Sequence, residues 1–284
     1  MINTQAFKIK TIFQPRLNPS VPKYWGVAID IGYSSVKIFS PNMVASFPAY
    51  AKKVPYGTAD HSIGELERNC IVYRDNEGNE YFVGAVVQDG IETDEADNST
   101  AVMTTQNRYS TAEFKVILRV GLALGTLKNQ YGDPSGRIMK VQTGLPPEYI
   151  KTGKIPLENA FLGTHDFSIK LGANKWMDFH FNLAPENIDK IMAQPMGTLI
   201  SISTDKNGGQ LPEAQKYFKS KILIIDPGFG TFDTFALGNH IFEGAKTWSN
   251  LGMRRVLEET SKLIEKEYNT YIPVPAMQKI LGDG

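Results

Sequence analysis

The sequence predicts an α/β protein of two domains, and three observations support this. A chain of 284 residues, 42% of them hydrophobic, has apolar material for more than one modest core. Hairpin-like strand runs are mixed with long amphipathic helices, which stack as α/β layers. One strand–turn–strand pattern also occurs twice, 196 residues apart. That separation is too long for a solenoid repeat and suggests two similar domains, each offering the same turn.

Residues 1–23 carry Lys8, Lys10, Arg16 and Lys23 without an acidic residue, and three prolines interrupt any period. They are expected to form a flexible arm, an added edge strand, or a tail that touches a neighbouring subunit. From Tyr24 the pattern is strand-rich, with an apolar run at 25–30, a Gly/Ser turn and a return at 36–40. Ile71 and Tyr73 alternate with polar residues, residues 75–79 turn, and Tyr81 and Val83 return as a second hairpin. Five carboxylates in residues 89–97 read as a solvated loop.

Ser110 and Glu113 have capping-box spacing and open a helix. Its apolar face is Phe114, Ile117, Leu118, Gly121 and Leu122, and the stretch from Tyr131 to Pro134 is expected to stop it. A buried strand is predicted at 137–142, running into Thr143, Gly144, Leu145 and Pro146. A hairpin over 167–171 and 176–181 follows, turning at 172–174. A buried strand at 221–225 and strands at 232–237 and 241–245 come next, joined by a glycine-rich turn and by Gly238, Asn239 and His240. Met253, Val256, Leu257, Thr260, Ile264 and Tyr268 share one face of a closing helix. The division expected is an arm over 1–23, a first domain over 24–183 and a second over 184–284.

Composition excludes several classes. Thirty basic and thirty acidic residues cancel, so a charge-driven nucleic-acid surface is not expected, and any action on DNA would pass through an adaptor. The single Cys70 forms no intramolecular disulfide and reads as a buried, inert thiol. No stretch approaches the roughly 20 apolar residues of a membrane span, nor does the N-terminus resemble a secretory signal, so a cytoplasmic location is expected. Four scattered histidines lack metal-ligand spacing, and no serine–histidine–acid arrangement is visible. Trp176 and Trp248 read as packing residues rather than base-stacking platforms.

The duplicated pattern carries the chemistry. Residues 27–36 (VAIDIGYSSV) can be laid over 223–232 (LIIDPGFGTF), each an apolar strand, then Asp, any residue, Gly, small turn residues and a second strand. A strand running into a Gly-rich turn exposes consecutive N–H groups that bind phosphate oxygens. Gly32, Gly228 and Gly230 let the main chain approach closely, and Ser34, Ser35 and Thr231 are expected to add hydroxyl donors. Asp30 and Asp226 would repel a phosphate without an intervening cation. Mg²⁺ fits, because it keeps waters and binds one or two carboxylates plus phosphate oxygens. Lys37, seven residues after Asp30, can place a point charge on a phosphate.

With these residues in view, the chain resembles the actin, sugar-kinase and heat-shock-chaperone superfamily, which has a ribonuclease H-like fold. Residues 30–37 resemble its first phosphate motif and residues 226–233 its second. Within it the chain is similar to the bacterial plasmid-segregation actins of the ParM/StbA type. Residues 143–146, the hairpin after Phe167, and Ser249 to Met253 opening the last helix support that branch.

The resemblance implies a nucleotide cleft between the two domains holding ATP or ADP with Mg²⁺, ATP hydrolysis, self-assembly into filaments and a DNA-binding adaptor. It assigns Gln194, Asp30 and Asp226 to catalysis, with Gln194 orienting water. Asp30 and Asp226 would hold the metal through water. Gly32, Tyr33, Ser34, Ser35, Lys37, Gly228, Phe229, Gly230 and Thr231 would bind the nucleotide. The family's adenine-closing Gly-Gly-Gly segment lies well downstream of the second motif, whereas this chain ends 58 positions after Asp226. A cut or naturally shortened second domain is therefore expected. A nucleotide-binding structural member with little turnover and a small-molecule kinase stay open as alternatives.

Overall fold

The computed structural model describes residues 11–61, 70–89, 107–205, 207–238 and 241–283. Lys8 and Lys10 of the arm, residues 90–97 of the acidic stretch, Asn239 and His240 of the last turn, and Gly284 lie outside them.

The first sheet has the order β1-β4-β3-β2-β8. Strand β2 (Tyr24–Ile31) alternates, burying Trp25, Val27, Ile29 and Ile31 on one face. It turns into β3 (Ser35–Ser40), which pairs antiparallel with β4 (Met43–Pro48). Strand β1 (Ile12–Pro15) adds to the outer edge of β4, so the described end of the arm is an edge strand. Strand β8 (Ile138–Gln142) runs parallel to β2 at the other edge. It is not the buried strand the sequence predicts: only Val141 is buried, because an edge position leaves most of the strand uncovered.

The second sheet has the order β11-β10-β6-β7-β5. The predicted hairpins are present as β6 (Ile71–Asp75) with β7 (Glu80–Val83), and β10 (Gly163–Leu171) with β11 (Met177–Leu183). Strand β5 (Ala51–Val54) closes the edge.

Both sheets share one apolar core with helix α3 (Ala112–Gly125). The short α1 (Thr58–His61) and α2 (Ala85–Asp89) precede it, and α4 (Ile150–Phe161) follows it in the chain. The cap of α3 is Thr111 rather than Ser110: its hydroxyl accepts the Phe114 N–H at 3.2 Å. The helix also ends before Tyr131, at Gly125. There the Trp25 indole N–H takes the helix-terminal carbonyl at 2.9 Å, and a side chain at 125 would collide with Val27. Cys70 is buried, as expected.

A separate three-stranded sheet joins β13 (Lys221–Pro227), β14 (Phe232–Gly238) and β15 (Ile241–Trp248). Leu199, Ile224 and Phe235 form its core with α5 (Gln194–Ser203) and α6 (Ala214–Lys219). Strand β13 is not the buried strand the sequence predicts. It is an edge strand with one face covered, and Leu223 and Ile225 on the other face are 61% and 55% exposed. Helix α7 (Met253–Tyr268) buries Leu257 and Ser261, while Met253, Val256 and Tyr268 of the predicted apolar stripe are exposed. Helix α8 (Val274–Asp283) packs on α2, and the Tyr50 hydroxyl donates to Gln278 Oε1 at 2.7 Å. Among the described residues no helix is long and apolar enough to cross a membrane.

Candidate functional site

Two hairpin turns build the site. Asp30 faces Lys37 in register across β2–β3, and Asp226 faces Asp233 in register across β13–β14. At Gly32 a Cβ would lie 2.9 Å from the Ser35 carbonyl oxygen, and at Gly228 it would lie 2.9 Å from the Thr231 carbonyl oxygen. Each glycine is thus required by the carbonyl three residues ahead, so the internal likeness extends to the backbone.

Both turns wall a single cleft of about 940 Å³. Asp30, Gly32, Tyr33, Ser34, Ser35 and Lys37 line it from the first turn, Asp226, Gly228, Phe229 and Thr231 from the second. Gln194 joins them. Gly230 does not form the wall; the Tyr33 ring lies directly against it.

Gln194 reaches the cleft because β12 (Met192–Ala193) pairs in parallel with β9 (Gly144–Leu145) and delivers the start of α5 beside β2. Its Nε2 donates to Asp30 Oδ1 at 2.9 Å rather than to its own backbone, leaving Oε1 to accept. Lys37 Nζ donates to Asp30 Oδ2 at 3.2 Å. Asp30 is therefore held on both oxygens, although the lysine pair is well exposed and adds at most about 1 kcal/mol.

The second turn is more acidic. Burial raises the Asp226 pKa and the nearby Asp30 charge raises it further, against an opposing pull from Lys37. Burial also raises the Asp233 pKa, opposed by hydrogen bonds from Thr247 and Thr231. The Thr231 hydroxyl donates to Asp233 Oδ2 at 2.7 Å and the Thr247 hydroxyl to Oδ1 at 2.5 Å. Thr231 thus keeps only lone pairs for anything bound in the cleft, where the sequence predicts a donor.

Two residues here are missing from the sequence-predicted set. Asp233 could have been found, since it closes the second motif at the spacing Lys37 has in the first. Arg108 has no sequence signal. It is buried on the cleft wall, and its Nη2 donates to the Ile31 carbonyl at 2.9 Å. Burial pushes the neighbouring Tyr33 hydroxyl up to about 12, against the lowering effect of Arg108.

The donor set fits a hard divalent ion. Asp30 and Asp226 line the same cleft, the Asp30 charge helps to raise the Asp226 pKa, and both offer carboxylate oxygens. Among the described residues no group of three or more His, Cys, Asp or Glu gathers to hold a metal alone. A cation here would need phosphate oxygens and water to complete its shell, which is how Mg²⁺ binds. Trp176 stacks on Arg74 at 4.0 Å and Trp248 meets Phe232 edge-on, so both serve packing.

The family model described as the N-terminal domain of actin-like proteins matches residues 28–197. Among solved structures, a non-polymerisable quadruple mutant of pCBH ParM superposes with a TM-score of 0.67 at 20% identity, covering 91% of this chain and 73% of that one. AlfA from B. subtilis plasmid pLS32, solved as a filament, gives 0.52 at 18% identity, covering 87% and 80%. Bacillus thuringiensis ParM with ATP gives 0.50 at 14% identity, covering 87% and 66%. At these identities the likeness establishes a shared fold.

Proposed function

This chain belongs to the actin-like protein family, and on that premise we propose that it binds and hydrolyses Mg²⁺–ATP and polymerises into filaments that segregate plasmid DNA. The reading rests chiefly on two distant hairpins walling one cleft, with Asp30 and Asp226 both in it and Gln194 bonded to Asp30. In this reading an arm spans 1–23, the first domain 24–183 and the second 184–284.

Each residue then has a role. Turn amides around Gly32 and Gly228 bind phosphate oxygens, and Lys37 adds a positive charge beside them. Ser34, Ser35, Tyr33, Phe229 and Thr231 shape the wall. Asp30 and Asp226 hold Mg²⁺ through water, since Gln194 and Lys37 already occupy the Asp30 oxygens. When bound, Mg²⁺ supplies the positive charge that lets phosphate approach two carboxylates. Gln194 Oε1 accepts from an attacking water and fixes its direction.

Nucleotide state would bias closure of the two domains and hence the contacts between subunits. Support from relatives is that AlfA is described as a filament and Bacillus thuringiensis ParM as holding ATP. The formal net charge of zero favours an adaptor over direct DNA contact, in the cytoplasm. A kinase reading is weaker, because it needs a carboxylate free to take a proton from an alcohol. Asp233, the third carboxylate of the cleft, is occupied by two threonine hydroxyls.

Sedimentation with Mg²⁺–ATP, paired with phosphate release, tests this. Pelleting with ATP and release of phosphate are expected. A chain that binds ATP and pellets without releasing phosphate is a structural member, and one that stays monomeric at high concentration contradicts the filament reading.

A further inference from the structure

Tyr33 and Phe229 hold equivalent places in the two turns but go different ways. Phe229 packs with Leu257 and Val274 beside its own turn. Tyr33 reaches across to the other turn and lies on Gly230, where a Cβ would sit 2.6 Å from its Cγ and 2.9 Å from its Cε2. No side chain fits between them.

The ring is braced from the first domain. The Arg108 guanidinium lies 4.4 Å from its centroid and is tied to the Ile31 carbonyl, two residues before Tyr33. The rings of Tyr109 and Phe114 lie 5.4 and 5.5 Å from the same guanidinium, so the cation is caged.

Beyond Gly230 the contact continues into a helix. At Gly252, the N-cap of α7, a Cβ would lie 2.7 Å from the Gly230 carbonyl carbon. The Met253 N–H donates to the Gly228 carbonyl at 3.1 Å, and the Arg254 N–H to the Phe229 carbonyl at 2.9 Å. First-turn amides of a helix ordinarily lack an intrahelical partner; here the turn supplies it. The second turn and α7 are thus fastened as one body. Close-packed contacts of this kind transmit displacement rather than absorbing it.

We propose that Tyr33 is a positioning residue through which the first phosphate turn sets the second turn and helix α7, and that position 230 is glycine to seat its ring. The inference rests on the nucleotide reading above.

Two measurements test it. In the chain without nucleotide, Gly230→Ala should lower the melting temperature by roughly 4 °C, because the new methyl group collides with the ring. In a Tyr33→Ala background the same change should shift melting by about 1 °C or less. An equal shift in both backgrounds overturns the seating claim.

The second readout is hydrogen exchange at the Met253 and Arg254 amides, with saturating Mg²⁺–ADP or a non-hydrolysable ATP analogue. Exchange in the natural chain should differ about fivefold or more between the two nucleotides. Tyr33→Ala should shrink that difference to under about twofold, while Tyr33→Phe should keep it. Gly230→Ala, which displaces the ring by itself, gives the same readout should Tyr33→Ala not fold. A difference that survives loss of the ring, or is missing when both nucleotides bind, overturns this inference alone. A natural chain that binds neither nucleotide overturns the function reading, and this inference with it.

Discussion

In the first cleft hairpin Asp30 faces Lys37 across the strands, and in the second Asp226 faces Asp233 at the same register. The backbones match down to the glycine–carbonyl approach of 2.9 Å in each. The first hairpin thus neutralises its aspartate with a nearby cation, whereas the second sets two carboxylates side by side. Asp226 and Asp233 have pKa values raised above the ordinary 3.8, so their protonated forms favour the fold. That stabilisation is present below 3.8 and lost as pH rises through the raised values. At neutral pH the second hairpin therefore holds a destabilising charge that a bound cation would relieve. One architecture thus carries an aspartate–lysine pair on one side of the cleft and two facing carboxylates on the other.

The sharpest way to break this division is through Gln194, which bonds to the first aspartate and not the second. Gln194→Ala should cut phosphate release by about 100-fold, with nucleotide affinity falling far less. Equal losses in both would make Gln194 a binding residue.

Asp226→Asn should act with opposite signs on two properties. Mg²⁺-dependent nucleotide affinity, followed by calorimetric titration, should fall about 10- to 100-fold. Thermal melting of the nucleotide-free chain should stay level or rise, because a disfavoured charge is gone. A lower melting temperature would show that Asp226 is already well paired.

Partners of the two aspartate pairs should differ in weight. Thr247→Val removes a charge-assisted bond to buried Asp233 and should cost about 2 kcal/mol in denaturant unfolding. Lys37→Met removes an exposed partner of Asp30 and should cost at most about 1 kcal/mol.

Mild acid should separate the two cores. His165 is buried with Nδ1 accepting from Arg119 Nε at 3.3 Å and Nε2 meeting the Phe161 carbonyl at 2.8 Å. Burial lowers its pKa below 6.5, and the Arg119 and Lys115 charges lower it further, against the Phe161 carbonyl. The unfolded chain gains this proton first, so the larger core loses stability as pH falls below 6.5. Asp226 and Asp233 instead gain as pH falls toward 3.8. Hydrogen exchange at pH 7 and 5, corrected for intrinsic rates, should show β10 opening more and β14 opening no more. Parallel loosening of both strands would contradict the assignment.

Much of this was legible in the sequence because hairpin turns are local. Asp, Gly and a hydroxyl residue at fixed offsets mark each turn, and alternation marks the flanking strands, so the turn residues that line the cleft were legible, whereas Gln194 came from the family resemblance. Contacts made across the chain left no such trace. Arg108 bonds to Ile31, 77 positions away, and nothing around it in sequence distinguishes it from a surface arginine. Gly230 reads as a phosphate glycine until Tyr33 is seen lying on it. The buried strands expected at 137–142 and 221–225 proved to be edges, because an apolar run alone does not tell whether a neighbouring layer covers it. Thr111 took the cap from Ser110, although only Ser110 stands three residues before Glu113, because the backbone is still extended at Thr111 and enters the helix one residue later.

The proposed function depends on the two turns gripping one ligand. Titrating Mn²⁺–ATP into the chain and following the Gly32 and Gly228 amide signals by nuclear magnetic resonance would test that directly. Both should broaden together and saturate at one metal per chain. Broadening at one turn without the other, or at neither while nucleotide binds, would contradict the account.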